Sequence, residues 1–278
     1  MKIRDAVQNL SGCRGAILAV NVYNLETLRG VLDAASHRNS PIIIQMTRST
    51  LEYIGLPIAV AMTRAASKEL GLNAWLHLDH GDSIDLVARC LDVGFDSVMI
   101  DASERTFAEN VDITRRVVRL TEKYGAAVEA ELGYIAKLGQ DKNTVSFTEP
   151  GDARRFVTET GVDWLAVAVG NMHGFYRGSP AIDIDRIREI AKVTDVPLVL
   201  HGSSGIPASQ LQAAIRAGIT KVNLATEIKQ RFMVTLKQHL EDETNIDLRE
   251  VFPVATRGVT ELVSEKLAVV SGASDNVS

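Results

Sequence analysis

Short apolar runs rich in β-branched residues recur along the chain. The first half carries GAILAVNVY (15–23), PIIIQM (41–46), AWLHLD (74–79) and FDSVMID (95–101). The second half carries AAVEAEL (126–132), DWLAVAVG (163–170), VPLVLHG (196–202) and ITKVNLA (219–225). Runs this short, apolar and rich in β-branched residues predict strands. Stretches with helical spacing lie between them, among them NLETLRGVLDAASHR, GLPIAVAMTRAASKEL, NVDITRRVVRLTEKYG and DIDRIREIAKVT. Several close on a glycine just before the next strand, as a helix C-terminus should. Eight strands alternating with helices, without a linker or low-complexity segment, predict one α/β domain over residues 1–278, a (β/α)8 TIM barrel. Beyond residue 226 the pattern predicts a long helix, TEIKQRFMVTLKQHL, then a further C-terminal segment and a frayed tail from about 271. An open doubly wound sheet is the alternative, but no G-x-G-x-x-G follows the first strand, and eight regular units are what closure needs.

Composition narrows the partners. With 278 residues, 46% apolar, 23% charged and a net charge of −5, the chain is ordinary globular material. Its weak acidity argues against nucleic acid or an anionic membrane as the main partner and leaves room for a local basic pocket. Only Cys13 and Cys90 are present, so a disulfide framework is not expected and a reducing cytoplasm is the expected compartment. The N-terminus has no apolar signal core and no segment reaches the ~18 apolar residues of a span, so neither secretion nor membrane insertion is expected.

In this fold, the C-terminal strand ends and the loops after them build the site. Strand three ends in Asp79-His80, strand six runs into His173 and strand seven ends in His201, so three of the six histidines share one face. Three neutral imidazoles with an open fourth position make a catalytic zinc site, whereas each alone reads as a polar strand cap. His37 and His239 fall on helices, and His77 shares a face with Asp79 inside the barrel. Asp79 suits acid/base work beside a polarised oxygen, or the capping or orienting of a ligand histidine. In an extended strand, however, Asp79 and His80 would diverge. Glu129 and Glu131 are spaced by two, so both enter the barrel and need a cation nearby. Gly202-Ser203-Ser204-Gly205 after strand seven, and Asn223 and Thr226 after strand eight, form a candidate phosphate turn. Gly174 and Arg177 lie beside His173. A Schiff-base mechanism needs a lysine at a strand's C-terminal end. Lys221 is expected at the start of strand eight on the other face, and Lys137 in a loop.

The motifs NVYNLET, HLDHG, SVMIDAS, VEAELG, LAVAVGNMHGFY, PLVLHGSSGI and KVNLATE, in this order over roughly residues 1–265, resemble the class II, zinc-dependent ketose-bisphosphate aldolases, especially the tagatose- and fructose-bisphosphate branch. The resemblance implies Zn2+ on His80, His173 and His201, with Glu131 near a second metal position. It implies Asp79 as the acid/base at the C4 hydroxyl and Asn223 as the group that steadies the enediolate. Asn21, Ser49, Gly174, Gly202, Ser203, Ser204 and Thr226 would contact substrate or phosphate, with a monovalent cation at the cradle, and Arg249 would grip the distal phosphate. The implied substrate is a sugar phosphate and the implied assembly a homodimer or homotetramer. Two stretches depart from the family. The loop after VEAELG is short, with Ala136-Lys137 near the glycine positions; in relatives a glutamate of that loop moves the C3 proton of the donor, and Asp141 is the candidate substitute for it. Arg48, in QMTRSTLEYIG, either faces solvent or marks a different anionic aldehyde half. Other readings are an aldolase for a carboxylated ketose phosphate, a zinc barrel hydrolase, or a non-catalytic subunit.

Overall fold

In the computed structural model, the described residues are 2–10, 15–133, 135, 147–176, 178, 180–241 and 244–272. Eight parallel strands close on themselves in sequence order, as the hydrophobic pattern predicts. They are β1 (Ile17–Asn21), β2 (Ile42–Met46), β3 (Ala74–Gly81), β4 (Ser97–Ile100), β5 (Ala127–Leu132), β6 (Trp164–Val167), β7 (Leu198–Leu200) and β8 (Ile219–Leu224). Around them lie α2 (Leu25–His37), α3 (Arg48–Ile54), α4 (Leu56–Glu69), α5 (Ile84–Asp92), α6 (Phe107–Thr121), α7 (Pro150–Thr160), α8 (Ile184–Val193), α9 (Ala208–Ala217) and α10 (Thr226–Leu240). α1 (Ile3–Gln8) precedes the barrel and α11 (Leu248–Val270) follows it.

Local chemistry sets the helix starts. Asn24 and Thr27 cap α2 reciprocally, Thr106 and Glu109 do the same for α6, and Ser83 caps α5 directly after the β3 turn. Outward strand residues such as Leu18, Ile44, Leu76 and Val98 pack under the helices. Inward residues change character along the barrel axis. At the bottom, Ile17, Ile43, Trp75, Trp164 and Val199 form an apolar plug closed by Ile3 and Val7 of α1. Above it the buried inward positions are polar: Gln45, His77, Ser97, Glu129 and Lys221. Among the described residues no helix is long and apolar enough to cross a membrane.

Candidate metal centre and substrate cavity

The end of β3 resolves the problem posed by adjacent Asp79 and His80. The register against β4 shifts between Leu78 and Gly81, and His80 adopts φ 48°. This bulge lets two successive side chains face the barrel mouth, and His80 Nε2 ends 4.0 Å from Asp79 Oδ1. A non-glycine residue held there costs about 1–3 kcal/mol, the kind of strain found at functional sites. Gly81 permits it, because a Cβ there would lie 2.5 Å from the Met99 carbonyl oxygen.

His80, His173, His201 and Glu131 each bring one ligand atom within 4.8 Å of the others. Asp101 Oδ2 accepts from His80 Nδ1 at 2.7 Å, and Ser103 holds Asp101 through its N–H and hydroxyl. Glu129 Oε1 accepts from His201 Nε2 at 2.7 Å, and Lys221 Nζ donates to Glu129 Oε2 at 2.8 Å. With both outer nitrogens committed to carboxylates, His80 Nε2 and His201 Nδ1 present lone pairs to each other across 3.0 Å. Two lone pairs so close require a proton or a cation between them. Glu131 Oε2 is buried without a hydrogen-bond partner among the described residues.

The charge balance points the same way. Four carboxylates (Asp79, Asp101, Glu129 and Glu131) surround the cluster, while Lys221 supplies the buried ammonium. Burial, reinforced by Asp101, pushes the Glu131 carboxyl up to about 8. Burial opposes charge on His80, but the combined pull of Asp79, Asp101 and Glu131 outweighs it and raises the imidazole to about 10. Burial, together with neighbouring His80 and His201, lowers His173 to about 3. Without metal the cluster therefore holds on to protons at neutral pH. A divalent cation fits this donor set of three imidazoles and a carboxylate.

A cavity of about 280 Å³ opens directly onto the histidines. Asn21, Asp79 and Asn223 line its floor, and Ser49, Gly174, Gly202, Ser204 and Thr226 line its walls. The N-terminus of α10 faces it at Thr226, where the helix dipole favours an anion. Gly202 has φ 63°, and a Cβ there would lie 2.1 Å from the Met172 oxygen, so only glycine lets the loops after β6 and β7 approach. Tyr176 ties the same two loops: its hydroxyl accepts from Met172 N at 3.1 Å and donates to Gly202 O at 3.0 Å. A larger recess of about 750 Å³ lies on the other side of His80 and His173, beside Asp82, Asp101 and Arg105.

Not every residue singled out in the sequence reaches this cavity. Ser203 is buried and its hydroxyl donates to the Asn223 carbonyl, so the side chain turns away from the anion cradle. Arg249 is exposed near the start of α11, paired with Asp247, and does not line the cavity. Arg48 clasps Asp82 and Ser83, so its charge is neutralised beside the β3 turn. Asp141, Lys137 and Arg177 lie outside the described residues. The expected position of Lys221 needs correcting. It sits in mid-strand, fully enclosed beneath the site, with Nζ 2.8 Å from Asn223 Oδ1.

Sequence reasoning overlooked Asp101, Tyr176 and Lys229. Asp101 directly follows the apolar run of β4, so the strand-end rule that marked the histidines applies to it as well. Lys229 lines the cavity mouth, with its ammonium 5.3 Å from the Tyr23 ring centroid, but carries no signal on an exposed helix turn.

Comparison with known proteins agrees with this geometry. Residues 1–275 match the family described as fructose-bisphosphate aldolase class-II. The YdjI aldolase of Escherichia coli K12 is 32% identical, with a TM-score of 0.88 over 99% of this chain and 98% of that one. A candidate fructose-1,6-biphosphate aldolase from Coccidioides immitis is 27% identical, with a TM-score of 0.87 over 97% and 96% of the two chains. The fructose-bisphosphate aldolase (Fba) of Campylobacter jejuni shares the fold at a TM-score of 0.80 and 21% identity over 96% and 93% of the chains. The chain belongs to the class II fructose-bisphosphate aldolases, metal-dependent carbon–carbon lyases.

Proposed function

We propose that the protein catalyses the reversible retro-aldol cleavage of a phosphorylated ketose to dihydroxyacetone phosphate and an aldehyde, with tagatose or fructose 1,6-bisphosphate as substrate and Zn2+ as the metal. The observation that carries this reading is the shared cavity: His80, His173, His201, Asp79, Asn223 and the glycine–hydroxyl cradle all line one space, with Glu131 grouped behind the histidines. His80, His173 and His201 would hold the zinc, which would supply a Lewis acid for the ketose carbonyl when bound. Asp79, held by Asn21 Nδ2 at 2.8 Å, takes the proton from the C4 hydroxyl as the C3–C4 bond breaks and the aldehyde forms. Asn223 Nδ2 donates to the oxygen that gains charge on the donor half. The N–H groups at Gly174, Gly202 and Thr226 hold the phosphate, with Ser204 beside them. The proton that returns to C3 is assigned to the loop acid, Asp141.

A second reading, a ketose phosphate with a carboxylated or otherwise modified distal end, is favoured by one feature. Among the described residues Lys229 is the cationic side chain lining the cavity, while Arg249 lies elsewhere and Arg48 is paired.

The test is deuterium exchange at C3 of dihydroxyacetone phosphate, followed by NMR with and without a chelator. Chelator-sensitive exchange supports the donor, the metal and the proton shuttle together. No exchange by protein shown to contain zinc overturns the donor assignment.

A further inference from the structure

Lys221 Nζ lies 2.8 Å from Gln45 Oε1, 2.8 Å from Glu129 Oε2 and 2.8 Å from Asn223 Oδ1. An ammonium has three N–H groups and no lone pair, so it dictates the polarity of everything it touches. Gln45 must offer its oxygen to Lys221. Its Nε2 is then left to donate to Asn21 Oδ1 at 3.0 Å, and Asn21 Nδ2 in turn donates to Asp79 Oδ2 at 2.8 Å. Glu129, ionised against Lys221, accepts from His201 Nε2 at 2.7 Å, which leaves His201 Nδ1 as the lone pair facing the metal position. Asn223 commits its oxygen to Lys221 and therefore turns its NH2 towards the cavity. That group lies 3.0 Å from His201 Nε2, whose proton already goes to Glu129, so this contact offers it no acceptor.

We propose that Lys221 is a positioning residue that sets the hydrogen-bond polarity of the whole site. One buried ammonium fixes the tautomer of a metal-binding histidine, the amide orientation of Asn223 and, through Gln45 and Asn21, the aim of the Asp79 carboxylate. Lys221 is 0% exposed and does not line the cavity, so it acts only through these partners. An amide can be flipped at nearly constant shape, and an imidazole has two tautomers. Without Lys221 these states are biased from one end only, by the carboxylates of Glu129 and Asp79, and the wrong ones point N–H groups at the metal or an amide oxygen at Asp79. The inference rests on the proposed roles of the three histidines, Asp79 and Asn223.

Lys221→Met alone strands a buried carboxylate and is expected to melt early. The test therefore compares wild type with the charge-neutral double variant Lys221→Met/Glu129→Gln and with Gln45→Met, which leaves the Lys221–Glu129 pair in place. Each protein is read by melting temperature, by Zn2+ affinity against a chromophoric chelator, by C3 exchange of dihydroxyacetone phosphate, and by its condensation with glycolaldehyde. The double variant should fold yet bind Zn2+ about 10–100-fold more weakly, the usual cost of losing a partner behind a metal histidine. Gln45→Met should keep Zn2+ affinity and lose condensation about 10-fold more than exchange, because its arm serves Asp79 alone. A folded double variant with wild-type Zn2+ affinity overturns the proposal, as does Gln45→Met with an unchanged ratio of condensation to exchange. Lys221 is then only a counter-charge for Glu129. If the double variant does not fold, the Gln45→Met ratio decides alone. If wild type binds Zn2+ but neither exchanges nor condenses, the proposed reaction has failed, while the Zn2+ affinities still judge Lys221.

Discussion

Gly202→Ala concentrates two penalties at one atom. The backbone there has φ 63°, which costs an alanine about 1–2 kcal/mol. The added Cβ would lie 2.1 Å from Met172 O, 2.6 Å from Met172 C and 3.2 Å from His173 N. Real Cβ atoms keep at least 3.0 Å from such neighbours, so the Met172 peptide must retreat by about 0.9 Å. That peptide leads directly into His173 and is pinned by Tyr176, whose bond to Met172 N is worth about 1 kcal/mol. The expected destabilisation is therefore about 2–3 kcal/mol, several degrees in Tm for a chain of this size. The chemical loss should be larger in relative terms, since a displacement near 1 Å at reacting groups costs about 10²-fold in rate. Gly205→Ala is the control: φ is 82°, but the nearest atom to its Cβ is Phe175 Cδ1 at 3.6 Å, so strain is present without the clash. Tm, zinc stoichiometry and exchange at C3 of dihydroxyacetone phosphate would be measured for both variants. Gly202→Ala with wild-type zinc binding and exchange, or the two variants equally impaired, would refute the close-approach account.

The remaining predictions address the acid, the metal and pH. Asp79→Asn should retain zinc and lose condensation with glycolaldehyde by about 10²–10⁴-fold; undiminished turnover would remove Asp79 from acid/base work. Asp101→Asn should weaken zinc binding about 10–100-fold by releasing His80 Nδ1, read by chelator competition, and an unchanged affinity would show that His80 orients itself. Metal-free protein should lose thermal stability as pH rises from 6.5 to 10. His80, raised from 6.5 to about 10, and Glu131, raised from 4.5 to about 8, both bind protons more tightly when folded, so raising pH favours the unfolded state. His173, lowered to about 3, acts oppositely but only below 6.5. Zn2+, the proposed metal, would compete with these protons, so the Tm of the Zn2+-loaded protein should be nearly flat over that window. A metal-free Tm that rises between pH 6.5 and 10 would contradict the sign.

Chain-local rules recovered much of this molecule. Parallel barrel strands are buried on both faces and read as continuous apolar runs, so all eight were legible. Polar residues that interrupt such runs at their C-terminal ends marked His80, His173 and His201, which the fold brings together. The α3 helix was not legible: it has seven residues, no side-chain cap, and stops at Gly55, so it looks like loop. The bulge at His80 was not legible either, because it depends on how closely Gly81 approaches Met99 on the next strand. Lys221 is the most instructive case. Its spacing of two from Asn223 places both on one face, as for Glu129 and Glu131. A lone lysine early in an apolar strand nevertheless reads as belonging to the strand start, away from the site, because a buried ammonium is costly unless paired. Its partners come from β2 and β5, far away in sequence. Asp101 lies at a legible strand end, but its pairing with His80, like that of Asp82 with Arg48, is set between units of the barrel. Periodicity reports which face a residue occupies, and a ligand set gathered at one barrel mouth needs only that. The groups that orient those ligands are chosen by pairing across the barrel, which no local window contains.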